Sequence, residues 1–348
     1  MRKIKLLRVM ITIVGMAAKA AIGQDIHLSQ FFETPLMRNP ALAGIFTGDI
    51  RLQAVHRNQW QSVGYPYQTT ALSGEYKFGV GGGDDFMTAG FNAFYDVAGI
   101  GRLKTLQVMP ALSFHKSLSA NRNSYLSAGF MAGFVQRQFD GQKLTFDNQY
   151  VGGSFNPTAG SGENFIGVSR TVADFALGMV YSGQMGGNEH ANWYVGGSLW
   201  HFNKPNISFL QENIELDTKW QGNAGVSLPL GQYVDVRAEV NYMRQGQYSE
   251  TIGGIIFSYS LTDRLEEPDS RIKNLRIGGG MMVRLNDAAI PVIQVGYNHL
   301  DIGLSYDVNT SKLKAASQNR GGFELSLSYR GFTGGDRSSL NSLRCPRF

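Results

Sequence analysis

Residues 300–309 read Leu-Asp-Ile-Gly-Leu-Ser-Tyr-Asp-Val-Asn. Every odd position after the first is small, polar or charged, and every other position is aliphatic or aromatic. A strict period of two places one set of side chains on each face of an extended strand. The same alternation recurs upstream and downstream. Val234, Val236, Ala238, Val240 and Tyr242 alternate with Asp235, Arg237, Glu239 and Asn241. Leu275, Ile277, Gly279, Met281, Val283 and Leu285 alternate with Asn274, Arg276, Gly278, Gly280, Met282 and Arg284. Phe323, Leu325, Leu327 and Tyr329 alternate with Glu324, Ser326, Ser328 and Arg330. No helical period of comparable quality competes with it.

Working outward from these runs, strands are expected to start near residues 50, 68, 86, 102, 124, 172, 191, 220, 233, 248, 274, 289, 300 and 321, about fourteen in all. Many reach the length of about 9–11 residues that a tilted strand needs to cross a bilayer, whereas soluble strands average about 5–6. The charged face opposes an unbroken apolar face, which is inside-out for a soluble sandwich or propeller. Aromatics gather near segment ends, among them Tyr65, Tyr95, Tyr181, Trp193, Tyr233, Tyr248 and Tyr329, as at a membrane interface. Tight steps at Gly231-Gln232, Asn286–Ala288 and Asn298-His299 contrast with long connections at 140–171, 203–219, 263–273 and 310–320. Short turns on one side and long loops on the other characterise outer-membrane barrels. The expected fold is therefore all-β, a single transmembrane antiparallel β-barrel over 49–331, preceded by an irregular segment (24–48) and followed by a polar tail (332–348).

Composition agrees. The chain has 348 residues, 43 of them glycine, scattered through aromatic and β-branched runs without a collagen period. The first 23 residues have a basic start, an apolar middle and small residues at Ala18, Ala20, Ala21 and Gly23, the pattern of a secretory signal peptide. Cleavage is expected between Gly23 and Gln24, with Ala20 as the second choice. The formal charge of +5 resides in that leader: without its five cations, 27 basic residues face 27 acidic ones. No basic excess is left to draw a nucleic acid. The single cysteine, Cys345, excludes an internal disulfide and thiolate zinc sites.

A charge on a lipid face costs about 2–4 kcal/mol near the bilayer midplane. Arg237, Glu239, Arg276, Arg284, Asp301, Asp307, Glu324 and Arg330 are therefore assigned to the lumen. Their mixed signs suit a paired interior better than an ion filter, and the long loops and the N-terminal segment are available to fill the bore. Catalytic patterns are poor. The six histidines are dispersed, with no His-Glu-x-x-His motif. Gly81-Gly82-Gly83 and Gly278-Gly279-Gly280 lack the lysine and the helix of a phosphate loop. No residues nominate a catalytic, cofactor or metal site.

Several stretches together resemble one family. They are Gln30-Phe31-Phe32, Asn39-Pro40-Ala41-Leu42-Ala43-Gly44, Arg57-Asn58-Gln59-Trp60, Gly133-Phe134-Val135-Gln136-Arg137 and Lys143-Leu144-Thr145-Phe146-Asp147-Asn148-Gln149-Tyr150. They continue with Ser305 to Leu313, Arg320-Gly321-Gly322-Phe323-Glu324-Leu325-Ser326-Leu327 and the terminal Cys345-Pro346-Arg347-Phe348. This set resembles the PorP/SprF family of type IX secretion system membrane proteins. The resemblance implies a non-enzymatic outer-membrane barrel without cofactors. It implies as partners the membrane lipid, a secreted surface protein with a type IX C-terminal signal domain, such as a gliding adhesin, and periplasmic secretion-ring proteins. Asn39, Pro40, Arg57, Asn58, Gln59, Trp60, Ser311, Lys312, Leu313, Arg320, Gly321 and Gly322 are the motif positions that either contact a partner or maintain the fold. Turns and strand ends explain them more cheaply. A docked partner is expected on loops 140–171, 203–219 and 310–320. The alternative function is a passive porin or a hydrophobic-solute transporter.

Overall fold

The computed structural model describes residues 25–59, 64–81, 83–119, 124–162, 169–185, 188–209, 213–261, 275–311, 318 and 320–333. The leader, Trp60, Lys312, Leu313 and the tail beyond 333 fall outside these residues.

Fourteen strands form one closed antiparallel barrel in which each strand pairs with its sequence neighbours. They are β1 (Ile50–Gln59), β2 (Tyr67–Gly79), β3 (Phe86–Ala98), β4 (Leu103–Ser117), β5 (Ser124–Gln138), β6 (Ser169–Met185) and β7 (Asn188–Trp200). The circle continues with β8 (Lys219–Leu230), β9 (Val234–Gln245), β10 (Tyr248–Ser260), β11 (Leu275–Arg284), β12 (Ala288–Tyr297), β13 (Leu300–Asn309) and β14 (Arg320–Gly331). β1 closes against β14 in register from Ile50↔Gly331 to Gln59↔Gly322. Closure removes every sheet edge, the condition for placing strands in lipid, where an unpaired backbone group has no water to bond.

The alternation seen in the sequence becomes two surfaces. Leu300, Ile302, Leu304, Tyr306 and Val308 face outward with Phe323, Leu325, Leu327 and Tyr329, whereas Ser305, Asp307, Asn309, Glu324, Ser326 and Ser328 are buried inside. No helix among the described residues is long and apolar enough to cross a membrane, and the strands do so instead. The barrel is an outer-membrane barrel.

Two rims follow from the strand order. The terminal rim holds Asp49 and Gly331, where the first and last strands meet. The loop rim carries connections 60–66, 99–102, 139–168, 201–218, 246–247, 285–287 and 310–319. Three of the four long connections expected from the sequence share the loop rim. The fourth, after Ser260, leaves the terminal rim, and the tight step before Ala288 lies on the loop rim. Strand parity decides the rim, and length alone does not reveal it.

Residues 25–48 do not lie outside the barrel. They enter the bore at the terminal rim and run through it as short helical turns at Phe31–Glu33, Pro35–Arg38 and Pro40–Leu42, with Leu28 to Leu36 and Arg38 to Phe46 buried throughout. We call this segment the plug.

The two-faced barrel gives a direct test. Leu304→Arg, in the middle of the outer face of β13, should destabilise the folded barrel by about 2–4 kcal/mol, and Leu300→Arg, at the strand end, by about 1 kcal/mol or less. Urea unfolding from lipid vesicles measures both. Equal costs would mean that this face does not contact hydrocarbon.

Candidate functional site

The site is the bore and the plug that fills it. Its apolar contacts come first, because they set where the plug rests. Phe31 and Phe32 pack against Ile252, Ile256, Met282, Ile290 and Val292 on β10 to β12. Ala41, Leu42 and Ile45 meet Phe86, Tyr125, Val180 and Tyr194. Leu36 and Ala43 meet Met109, Met131, Ala176 and Trp200, and Leu28 meets Val55, Ala71 and Phe94. The lumen thus carries apolar patches wherever the plug presents apolar side chains. Two glycines make room at mid-barrel. Gly129 and Gly178 face each other across β5 and β6, and a methyl group on either would overlap Asn39 or Pro40.

Polar contacts then fix the plug in three tiers. Near the loop rim, Glu324 of β14 accepts the backbone N–H groups of Ser29 (2.8 Å) and Gln30 (2.6 Å). The Gln30 side chain donates to the Glu324 carbonyl at 2.9 Å and accepts from Ser326 at 2.8 Å. Ser29 Oγ donates to Asp307 at 2.6 Å and accepts from Arg284 at 2.8 Å and from Arg57. Arg57 of β1 closes the cluster with Asp307 (2.8 Å) and Glu324 (3.1 Å), and Arg284 reaches Asp307 at 3.1 Å. These ions are almost wholly buried, so they hold only as a mutually satisfied set.

In the middle tier, Arg38 donates to Glu239 at 2.8 Å and to the Tyr194 hydroxyl at 2.9 Å. Ser198 donates to the Arg38 carbonyl at 2.6 Å. Glu33 accepts from Gln53 at 3.1 Å and from Gln294 at 3.0 Å. Asn39 Nδ2 donates to the carbonyls of Met179 (3.2 Å) and Gly197 (3.0 Å), and Ser113 donates to the Pro40 carbonyl at 2.7 Å. At the terminal rim, Glu75 accepts the Gly44 N–H at 2.8 Å and pairs with Arg51 at 2.7 Å, while Lys77 donates to the Phe46 carbonyl at 2.6 Å.

The eight charges assigned to the lumen fall into three clusters. Arg284, Asp307 and Glu324 join Arg57 around Ser29. Arg237 lies 3.7 Å from Glu239 and 4.0 Å from Glu33. Asp301 bridges Arg276 (2.7 Å) and Arg330 (2.5 Å) near the terminal rim. The motif residues separate by position. Asn39, Pro40 and Arg57 bind the barrel's own interior. Gly321 and Gly322 sit where a side chain would strike the carbonyls of Asp307 and Asn58. Gln59 and Ser311 lie at the loop rim, and Arg320 is exposed there. On the plug side, sequence reasoning singled out Asn39 and Pro40 but missed Ser29, Gln30, Glu33 and Arg38. The signal was a segment with both adjacent aromatics and isolated charges but no strand period, which marks it as neither strand nor solvated tail.

Among the described residues, no group of three or more His, Cys, Asp or Glu side chains is placed to hold a metal ion. A family model described as type IX secretion system membrane protein PorP/SprF matches residues 20–329. The chain belongs to the PorP/SprF family. This PorP/SprF protein is an outer-membrane barrel. No curated protein matches it. Among solved structures it is similar to a deltaS2 mutant of the TodX monoaromatic hydrocarbon channel (9% identity, TM-score 0.47, covering 85% of this chain and 93% of that one). It is also similar to a Pseudomonas aeruginosa FadL homologue (11%, 0.44, 84% and 92%) and to the translocator domain of the autotransporter NalP from Neisseria meningitidis (13%, 0.34, 81% and 88%).

At the plug's tip, Asp25 accepts from His201 (2.7 Å) and Lys219 (2.6 Å), and the other His201 nitrogen meets Asp174 at 2.8 Å. Burial works against the His201 charge, but Asp25 and Asp174 outweigh it and raise its pKa to about 9. Burial likewise works against the Asp25 charge, yet His201 and Lys219 hold its pKa well below the usual carboxylate range.

Two outcomes follow. Arg57→Met removes one partner of a buried ion cluster and should cost about 3–5 kcal/mol, read by urea unfolding in vesicles; a loss below about 1 kcal/mol would mean that the cluster does not hold the plug. The tip should also be pH-sensitive. The raised His201 pKa contributes stability that is complete below its unfolded value near 6.5 and is lost as pH rises through about 9. The lowered Asp25 pKa contributes above its unfolded value near 3.8 and is lost as pH falls further. Amide exchange at 26–28, corrected for intrinsic rate, should therefore be slowest between about pH 4 and 6.5 and should accelerate towards pH 9. His201→Gln should flatten the alkaline limb.

Proposed function

We propose that this PorP/SprF protein is a closed outer-membrane anchor of type IX secretion. In this reading it holds a secreted surface protein with a type IX C-terminal signal domain, such as a gliding adhesin, at its loop rim. Periplasmic secretion-ring proteins meet the terminal rim. The observation that carries the reading is the plug. A bore occupied by the chain itself, and paired with it in three tiers, leaves a partner the rims and not the passage. Family membership supports the secretion context. The long connections 139–168, 201–218 and 310–319 support the choice of rim, since outer-membrane barrels carry their longer loops outside.

A second reading, passage of a small or hydrophobic solute, draws support from one feature. A cavity of about 360 Å³ lies beside the plug's tip at the loop rim, and every plug contact is non-covalent. The two readings differ in planar bilayers. As an anchor, the purified protein shows no steady conductance, and a gentle-detergent pull-down from its native membrane recovers a surface protein with a type IX signal domain. Steady channels from the wild-type protein, with no such partner recovered, would favour the solute reading.

A further inference from the structure

The registers place one lumen-facing row around half of the barrel: Glu324 on β14, Arg57 on β1, Thr69 on β2, Asp96 on β3, Thr105 on β4 and Arg137 on β5. The row divides into two parts. Glu324 and Arg57 are taken up by the plug at Ser29 and Gln30. Asp96 and Arg137 face the 360 Å³ cavity, whose floor is the plug residues Asp25 to His27. That volume lies within the range of small-ligand pockets.

The charges lining this cavity are paired, with two exceptions. Asp25, His201, Arg284, Asp287 and Asp307 each have an ion-pair partner within 4.0 Å, and His27, 3.4 Å from Glu250, carries no charge to pair because burial and the nearby Arg284 and Arg57 push its pKa well below the usual histidine range. Asp96 accepts a hydrogen bond from Thr69 at 2.6 Å and has no ion-pair partner within 4.0 Å among the described residues. Arg137 has no hydrogen bond or ion pair among the described residues, and its Nε is buried without a partner. The carboxylates that act on it electrostatically are Asp25 and Asp96. Two strand spacings, about 10 Å, separate the Asp96 and Arg137 backbones, with Thr105 between them. The half-buried Arg137 guanidinium, whose terminal nitrogens make no hydrogen bond among the described residues, suits a carboxylate held by two parallel hydrogen bonds, and a carboxylate across the cavity suits an ammonium group.

We propose that this cavity binds a short peptidic zwitterion, with its carboxylate on Arg137 and its ammonium group on Asp96. Thr69, Thr105 and Gln107 offer hydrogen-bonding groups between the poles, and Phe94 offers an apolar wall. A ligand with both charges restores the balance that the plug supplies to the other half of the row.

Saturation-transfer NMR on the full chain in detergent tests this with diglycine, N-acetyl-diglycine and diglycine amide. Diglycine should bind saturably, and each cap should weaken binding at least tenfold. Arg137→Gln and Asp96→Asn should each do the same, with gel mobility before and after heating unchanged, while Lys116→Gln, at the terminal rim, should have no effect. The proposal is overturned by the absence of saturable binding to the wild-type chain or by equal binding of the capped forms. Full binding to either cavity variant in its folded state would overturn it as well. Should Arg137→Gln fail to fold, Asp96→Asn and the two caps still decide the matter.

Discussion

Everything in this molecule descends from the absence of water in the bilayer core. A strand there must pair its backbone on both sides, so the sheet has to close, and β1 must find β14 across the whole length of the chain. Closure with fourteen strands has a consequence of its own. Eight strands leave a bore that side chains can fill, and sixteen or more leave a channel. At fourteen, side chains alone are too short to meet, and the space is occupied by residues 25–48. The plug is therefore part of how the closed barrel satisfies its interior.

That interior combines two kinds of contact with different roles. Apolar contacts at Phe31, Phe32, Leu36 and Leu42 supply the non-directional attraction. The buried ions supply registration: Arg38 fits only where Glu239 and Tyr194 converge, and Ser29 only where Arg57, Arg284 and Asp307 do. Buried ion clusters are weak sources of net stability, but removing one partner is expensive. A segment that slid by one position would leave several charges unmatched at once, which gives the plug a single resting place.

The barrel was legible in the sequence because period-two alternation is local and each outward position must be apolar. Strand starts near 50, 86, 124, 248 and 300 can be read from the residues themselves, and the fourteen-strand barrel agrees with them. The plug was not legible in the same way. Many of its residues are chosen for partners far along the chain, such as Asn39 for Met179, 140 positions away, and Gln30 for Ser326, 296 positions away, and such choices leave no periodic trace. Glycines 129 and 178 illustrate this. In sequence they are two more small residues among 43, and only the pairing of β5 with β6 makes them one slot. The eight charges are assigned to the lumen as a set because lipid excludes them, but their grouping depends on register.

The cluster around Ser29 also bears on how the barrel is made. Arg57 and Glu324 stand on the two strands of the closing seam, 267 positions apart, and the plug residues Ser29 and Gln30 bind both. Bringing such distant segments together carries the largest loop-closure cost in the chain. A peptide bonded from inside to both strands of the seam adds contacts that only the closed barrel can satisfy. Residues 25–48 thus couple closure of the wall to occupation of the bore: the same few side chains serve both.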